Sequence, residues 1–148
     1  MVWISEGIAG ILLLWLSICD LKSSKIPMWG LMSFCTCGVV RLLLLERSMV
    51  LTQGLLCLWI WLSLWLAAKA SGHGIGGGDV WLLTSMPFWR TGGSLIWTLL
   101  VAFLSAAVYG FLRFGVQGRK TRFPFVPWIT VGFVSVGIAM TRKGLTGI

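Results

Sequence analysis

The stretch VLTQGLLCLWIWLSLWLAA, residues 50–68, contains no charged side chain and is closed by Lys69. A helix needs about 20 consecutive apolar residues to cross the hydrocarbon core of a bilayer. This run is therefore long enough to span a membrane. The whole chain agrees with it, because 57% of its residues are hydrophobic and only 11% are charged, which excludes an ordinary soluble surface.

Further apolar runs lie on both sides of this stretch, separated by polar or basic segments, and no internal repeat relates them. They are Met1–Cys19, Met28–Leu45, Val80–Trp89, Ser94–Leu112 and Pro124–Met140. Together the six runs predict an all-α, polytopic membrane helix bundle of about six transmembrane helices. We expect a single transmembrane domain over residues 1–148. The run from Val80 to Trp89 is short, since ten residues of helix cover only about half of the hydrocarbon core.

The net charge of +8 is scattered between the apolar runs. Scattered basic residues at the ends of runs are typical of topology signals and not of a nucleic-acid surface, so no nucleic acid is expected. Seven basic residues fall on one face of the predicted bundle and five on the other. The first face carries Lys22, Lys25, Lys69, Arg113, Arg119, Lys120 and Arg122, and the second carries Arg41, Arg47, Arg90, Arg142 and Lys143. The first face is therefore predicted to be cytoplasmic, in the cytoplasmic (inner) membrane, with both termini outside.

Only two aspartates occur in the chain, and both stand beside apolar runs. Asp20 is predicted to open a polar turn over residues 20–25, and Asp79 follows the glycines Gly76, Gly77 and Gly78. Two crossings separate the aspartates, so both are expected on the same face. Carboxylates in an apolar setting are costly and usually mark a functional site.

Two carboxylates that lie close together share a proton, and such a pair can activate a water molecule and protonate a departing amine. Asp79 opens a helix, which favours its charged form and makes it the expected more acidic partner. The glycines before it would let a substrate strand lie against the loop, so Gly76, Gly77 and Gly78 are candidate substrate-binding residues. Simpler interpretations are an N-cap for Asp79 and a water-facing helix end for Asp20.

Other polar side chains are expected to have minor roles. His73 is expected to be solvated. Arg41 is expected to snorkel and Arg90 to reach the headgroups, while Glu6 and Glu46 are expected at the interface. The cysteines form no Cys-x-x-Cys pair, so neither a metal site nor a cofactor is predicted.

The motifs around these residues resemble those of the type IV prepilin peptidases. The segment at residues 20–27, DLKSSKIP, resembles the family's Asp-x-(Lys/Arg)-x-x-x-Ile-Pro sequence. Residues 76–79, GGGD, match the Gly-x-Gly-Asp motif of the wider class of membrane aspartic proteases, and residues 123–128, FPFVPW, are similar to the Pro-Phe-Gly-Pro-Phe segment that opens the last helix. The three motifs occur in the family's order.

The resemblance implies a membrane aspartic endopeptidase that removes the short leader from prepilin or pseudopilin precursors on the cytoplasmic side. In that case Asp20 and Asp79 are the catalytic pair. The chain departs from the family at Met28, Trp81 and Val126, where Asn, Lys and Gly are usual. It has no segment like the cysteine-paired zinc domain of longer members, so it resembles a short form without the methyltransferase function. The alternatives are a non-catalytic relative or assembly partner, and a transporter whose aspartates bind protons or cations.

Overall fold

The structure, a computed structural model, describes residues 2–23, 26–70, 76–117 and 124–146. In these ranges the regular structure consists of six α-helices and two short 3-10 turns. The α-helices are α1 (Val2–Ser23), α2 (Met28–Leu45), α3 (Val50–Ala70), α4 (Gly77–Ser85), α5 (Gly92–Gln117) and α6 (Val126–Thr146), and the 3-10 turns cover Arg47–Met49 and Met86–Phe88. The predicted all-α bundle is confirmed.

Four segments are long and apolar enough to cross a membrane, namely Ile4–Ser23, Met28–Leu45, Arg47–Ala70 and Gly92–Leu112. A shorter apolar stretch, Val126–Thr141, lies in α6. Helix α4 has nine residues and, like the short fourth run of the prediction, covers only about half of the hydrocarbon core. These lengths and compositions make the chain an integral membrane protein.

The predicted turn at residues 20–25 is wrong for its first part, because α1 continues through Asp20 to Ser23. The Ser23 hydroxyl donates a hydrogen bond of 2.8 Å to the Cys19 carbonyl, which satisfies one acceptor of this last turn. Helix α5 likewise runs on to Gln117, into the predicted basic loop. Residues 24–25 and 118–123 lie outside the described residues. The turn predicted near Pro87 and Gly92 is confirmed, and Gly92 has a φ of 53°, which glycine tolerates best.

The core lies where α1, α2, α6 and the α4 region meet. Its side chains with no exposed surface include Leu13, Leu16, Leu82, Met86 and Ile129. Helix α4 packs on α2 and α3, whereas α1 packs on α2 and α6. Helix α3 buries only Gln53 and Cys57, so most of its apolar surface is left for the lipid.

Helices α1, α5 and α6 approach one another closely through small residues. The Ser17 and Thr130 hydroxyls are 2.6 Å apart and join α1 to α6 in the interior. A Cβ atom at Gly132 would overlap the Thr98 carbonyl oxygen and lie 3.0 Å from the Ala102 nitrogen. Small side chains of this kind allow helices to pack tightly in a bilayer, where the hydrophobic effect does not drive them together.

We therefore expect Gly132→Ala to lower the free energy of unfolding by about 1–3 kcal/mol, because the backbone of α5 must move. Gly54→Ala is the matched control, since its added Cβ meets no atom within 4 Å. The control is expected to be neutral, or stabilising by up to about 1 kcal/mol through helix propensity. Thermal unfolding in detergent micelles measures both variants, and equal melting temperatures would contradict the close packing.

Candidate active site

Asp20 lies on the inner face of α1 and is 7% exposed. Its Oδ2 accepts a hydrogen bond of 3.3 Å from the backbone N–H of Val126, the first residue of α6. The backbone of Phe125 is a second donor to the same side chain. The first turn of a helix has N–H groups without partners inside the helix, so a carboxylate is well placed there. Asp20 therefore faces the bundle interior, and its interpretation as a water-facing helix end is wrong.

Asp79 lies in the first turn of α4, outside the four long spans, and is partly buried. The N-cap of α4 is Gly76, so the interpretation of Asp79 as the N-cap is wrong. The backbone N–H groups of Asp79 and Val80 donate to the Gly76 carbonyl at 3.1 and 3.2 Å.

The glycines before Asp79 allow two distant parts of the chain to meet. A Cβ at Gly78 would lie 2.9 Å from Cδ1 and 3.1 Å from Cβ of Ile26, so the start of α4 packs against the connection between α1 and α2. A Cβ at Gly76 would lie 3.0 Å from Oδ2 of Asp79. At Gly77 an added Cβ meets no atom within 4 Å. The start of α4, the end of α1 and the start of α6 thus lie at one end of the bundle, which we call the aspartate end.

Burial, and after it the charge of Asp20, raise the pKa of Asp79 to about 6. Desolvation disfavours a charged carboxylate, and a second carboxylate nearby adds to this effect. The position of Asp79 at the helix start therefore does not keep its pKa low, and which aspartate is the more acidic stays a prediction. A carboxyl group with this pKa can gain or lose a proton near neutral pH.

The two glutamates have a different environment from the aspartates. Glu6 pairs with Arg90 at 3.0 Å, and Glu46 pairs with Arg41 at 2.9 Å. Within the described ranges neither aspartate forms a salt bridge. Arg41 and Arg90 are buried in the bundle, at 8% and 4% exposed, while their depth relative to the headgroups stays a prediction. Each is held inside the bundle by its glutamate and a backbone carbonyl, which the sequence did not reveal.

An apolar groove runs between α3 and α4 next to the aspartate end. It has a volume of 340 Å³ and is lined by Trp61, Trp65, Ala68, Lys69, Gly77, Val80 and Trp81. The Lys69 ammonium lies 4.4 Å from the centre of the Trp65 ring, where a cation is favoured. Among Gly76, Gly77 and Gly78, only Gly77 borders this groove.

Two further expectations concern ligands. His73 lies outside the described residues. Within the described part of the chain, no group of three or more His, Cys, Asp or Glu side chains is arranged to hold a metal ion.

Comparison with known proteins gives one match. The model of a family described as the type IV leader peptidase family matches residues 7–111, well over half of the chain. The matched region contains both aspartates and ends before the segment at residues 123–128. No curated protein matches the chain, and no solved structure does.

The raised pKa of Asp79 predicts a pH-dependent effect of Asp79→Asn on stability. At pH 2.5, well below the ordinary pKa of 3.8, Asp79 is protonated in both the folded and the unfolded chain, so Asp79→Asn and the wild type should melt alike. Between pH 3.8 and about 6 the unfolded wild type releases the Asp79 proton and the folded wild type keeps it, so the wild type loses stability as the pH rises, whereas the neutral Asn does not. The variant should therefore melt at a higher temperature at pH 7.5. A difference in melting temperature that stays constant from pH 2.5 to 7.5 would contradict the burial of this carboxyl group.

Proposed function

The chain belongs to the type IV leader peptidase family and is therefore a leader-peptidase-like protease of the membrane, and we propose that it removes the leader from prepilin-like or pseudopilin precursors. In this proposal Asp20 and Asp79 are the catalytic pair. One observation carries this assignment. The chain has four acidic residues, and the two that have no salt bridge within the described ranges lie together at one end of the bundle.

The reaction we propose is the hydrolysis of one peptide bond by water. Asp20, as the carboxylate, removes a proton from a water molecule while the water oxygen adds to the peptide carbonyl carbon. Asp79, protonated, then gives its proton to the amide nitrogen as the carbon–nitrogen bond breaks. The pKa of about 6 supports the role of Asp79 as the proton donor. The products are a carboxylic acid and an amine, and no cofactor is needed.

We place the aspartate end on the cytoplasmic side of the cytoplasmic membrane, with both termini on the opposite side. The support is the sequence, which predicts seven basic residues on the face of the aspartates and five on the other. Of the seven, Lys22 and Lys69 lie in described segments and are exposed.

We also place the apolar segment of the substrate in the groove between α3 and α4. Gly77, two residues before Asp79, lines the groove. A precursor whose scissile bond lies beside the Asp79 carboxyl group would therefore pass the groove at Gly77. Its tryptophan rings suit an apolar helix that enters the bilayer beside the cut. Gly76 and Gly78 then serve mainly to keep space for the Asp79 carboxyl group and for Ile26.

The first test is cleavage of a tagged prepilin from the same genome, co-expressed with the chain and followed by its mobility on a gel. Asp20→Asn and Asp79→Asn are each expected to abolish the shift, because an amide can neither accept the proton from water nor donate one as a carboxylic acid. Glu46→Gln is the matched control, an acid-to-amide change at the opposite end of the bundle, and it should leave cleavage intact. Normal processing by either aspartate variant would exclude the pair.

The same experiment separates the alternative functions. Binding of prepilin without cleavage by the wild type would favour a non-catalytic relative, and proton flux without cleavage would favour a transporter.

The groove gives a second test. Gly77→Phe adds a ring where no atom lies within 4 Å of the new Cβ, so the fold should persist while the groove is filled. We expect KM for prepilin to rise several-fold with a smaller change in kcat. Gly54→Phe is the control, since its Cβ also meets no atom and it lies outside the groove. Equal KM values for the two variants would place the substrate elsewhere.

A further inference from the structure

The residues that follow α4, up to Arg90, are hydrogen-bonded inside the bundle to three other helices, α1, α2 and α6. We call residues Phe88, Trp89 and Arg90 the polar corner. Arg90 donates to Oε1 of Glu6 on α1 at 3.0 Å and to the carbonyl of Phe133 on α6 at 3.2 Å. Its guanidinium also lies 4.4 Å from the centre of the Phe133 ring. One planar side chain therefore binds two helices at once, which suits the fixed fork of arginine.

The other two corner residues are bound to α2. The Trp89 indole N–H donates to the Phe34 carbonyl at 3.2 Å, and Arg41 donates to the Phe88 carbonyl at 3.3 Å. Glycines make room for these contacts. A Cβ at Gly38 would lie 2.8 Å from the indole nitrogen of Trp89, and one at Gly137 would lie 2.9 Å from Nη2 of Arg90.

The Arg90–Glu6 pair connects the same two parts of the chain that carry the aspartates. Glu6 lies about four helical turns before Asp20 on α1, and Arg90 lies about three turns after Asp79. Helix α4 packs mainly on α2 and α3, and α1 packs mainly on α2 and α6. The ion pair is therefore a direct bond between α1 and the α4 region. The same arginine also holds α6, whose first N–H group binds Asp20.

We propose that Arg90 and Glu6, which lie at the end of the bundle opposite the active site, are positioning residues. Their bond sets the position of Asp79 along the bundle axis relative to Asp20. This inference rests on the proposed function in one respect, that the two aspartates act as a pair. A nine-residue helix has few turns that hold its position along the bundle. The bond between Arg90 and Glu6 at its far end adds a restraint of fixed length. A misplacement of about 1 Å can cost roughly 100-fold in rate, which makes such a restraint matter for catalysis.

The kinetic test compares Glu6→Gln with Glu46→Gln. Both glutamates are partly exposed partners of a buried arginine, with side chains 24% and 27% accessible, but the Arg41–Glu46 pair lies at one end of α2 and does not join α1 to α4. Glu6→Gln is expected to lower kcat for prepilin cleavage by about 10- to 100-fold with KM nearly unchanged. Glu46→Gln is expected to keep kcat within about two-fold, because Arg41 can still donate to the Phe88 carbonyl, and this contact joins the α4 region to α2 and not to α1. Equal kcat values for the two variants would overturn the proposal.

A second measurement does not depend on catalysis. Spin labels on Asp20→Cys and Asp79→Cys, with the four native cysteines replaced, report the distance between the two sites by electron paramagnetic resonance. Adding Glu6→Gln should lengthen or broaden that distance, and adding Glu46→Gln should not. An unchanged distance with Glu6→Gln overturns the positioning role, whether or not the chain cleaves prepilin. A changed distance, together with no cleavage of prepilin by the unlabelled wild type, supports the role and rejects the proposed function.

If Glu6→Gln does not accumulate as a folded protein, Arg90→Lys provides the same test. Lysine keeps the charge but lacks the planar fork, so it cannot bind Glu6 and the Phe133 carbonyl in the same way. The folded Arg90→Lys variant should show the lower kcat and the altered distance. Wild-type values for both would overturn the proposal.

Discussion

Helix α4 has nine residues, and a rise of about 1.5 Å per residue makes it roughly 14 Å long. Its two ends cannot both reach water across a bilayer, so one end must finish within the bundle, where polar backbone groups need partners. The turn at Met86–Phe88 and Arg41, which donates to the Phe88 carbonyl, meet this need. The short helix thus gives one reason why Arg41 is buried in an apolar protein.

The placement of charge follows from the same constraint. A buried arginine is tolerated only when it is paired and hydrogen-bonded, and Arg41 and Arg90 each have a glutamate and a backbone carbonyl. The two glutamates are thereby used for structure, at the end where the chain turns from α4 to α5. At the other end the hydrogen-bond donors to Asp20 among the described residues are neutral backbone groups, and Asp79 lies in its electrostatic field. This separation leaves the two aspartates without a salt bridge in the described ranges, as the catalytic role that we propose for them requires.

The aspartate end is assembled from segments that lie far apart in the sequence. Gly78 packs against Ile26, and Asp20 binds the first turn of α6, so each of the three motif segments touches another. The same arrangement opens a groove towards the lipid beside Gly77. The proposed cleavage of a membrane-embedded precursor would require such an opening, and a fully enclosed pair of carboxylates would not provide it.

The sequence by itself determined the helical membrane architecture, because an apolar run of sufficient length has few alternatives in a bilayer. It predicted the bounds of α2 as Met28–Leu45 and the short run after Asp79. The two aspartates and the glycines also stood out, since carboxylates are rare in such a chain. What the tertiary structure alone decided is where the side chains face. Asp20 accepts a hydrogen bond from Val126 of α6, 106 residues away, and the Arg90–Glu6 pair joins residues 84 apart. Hydropathy along the chain describes local preference for lipid or water, whereas the partners of a buried charge come from helices that meet only in the folded bundle.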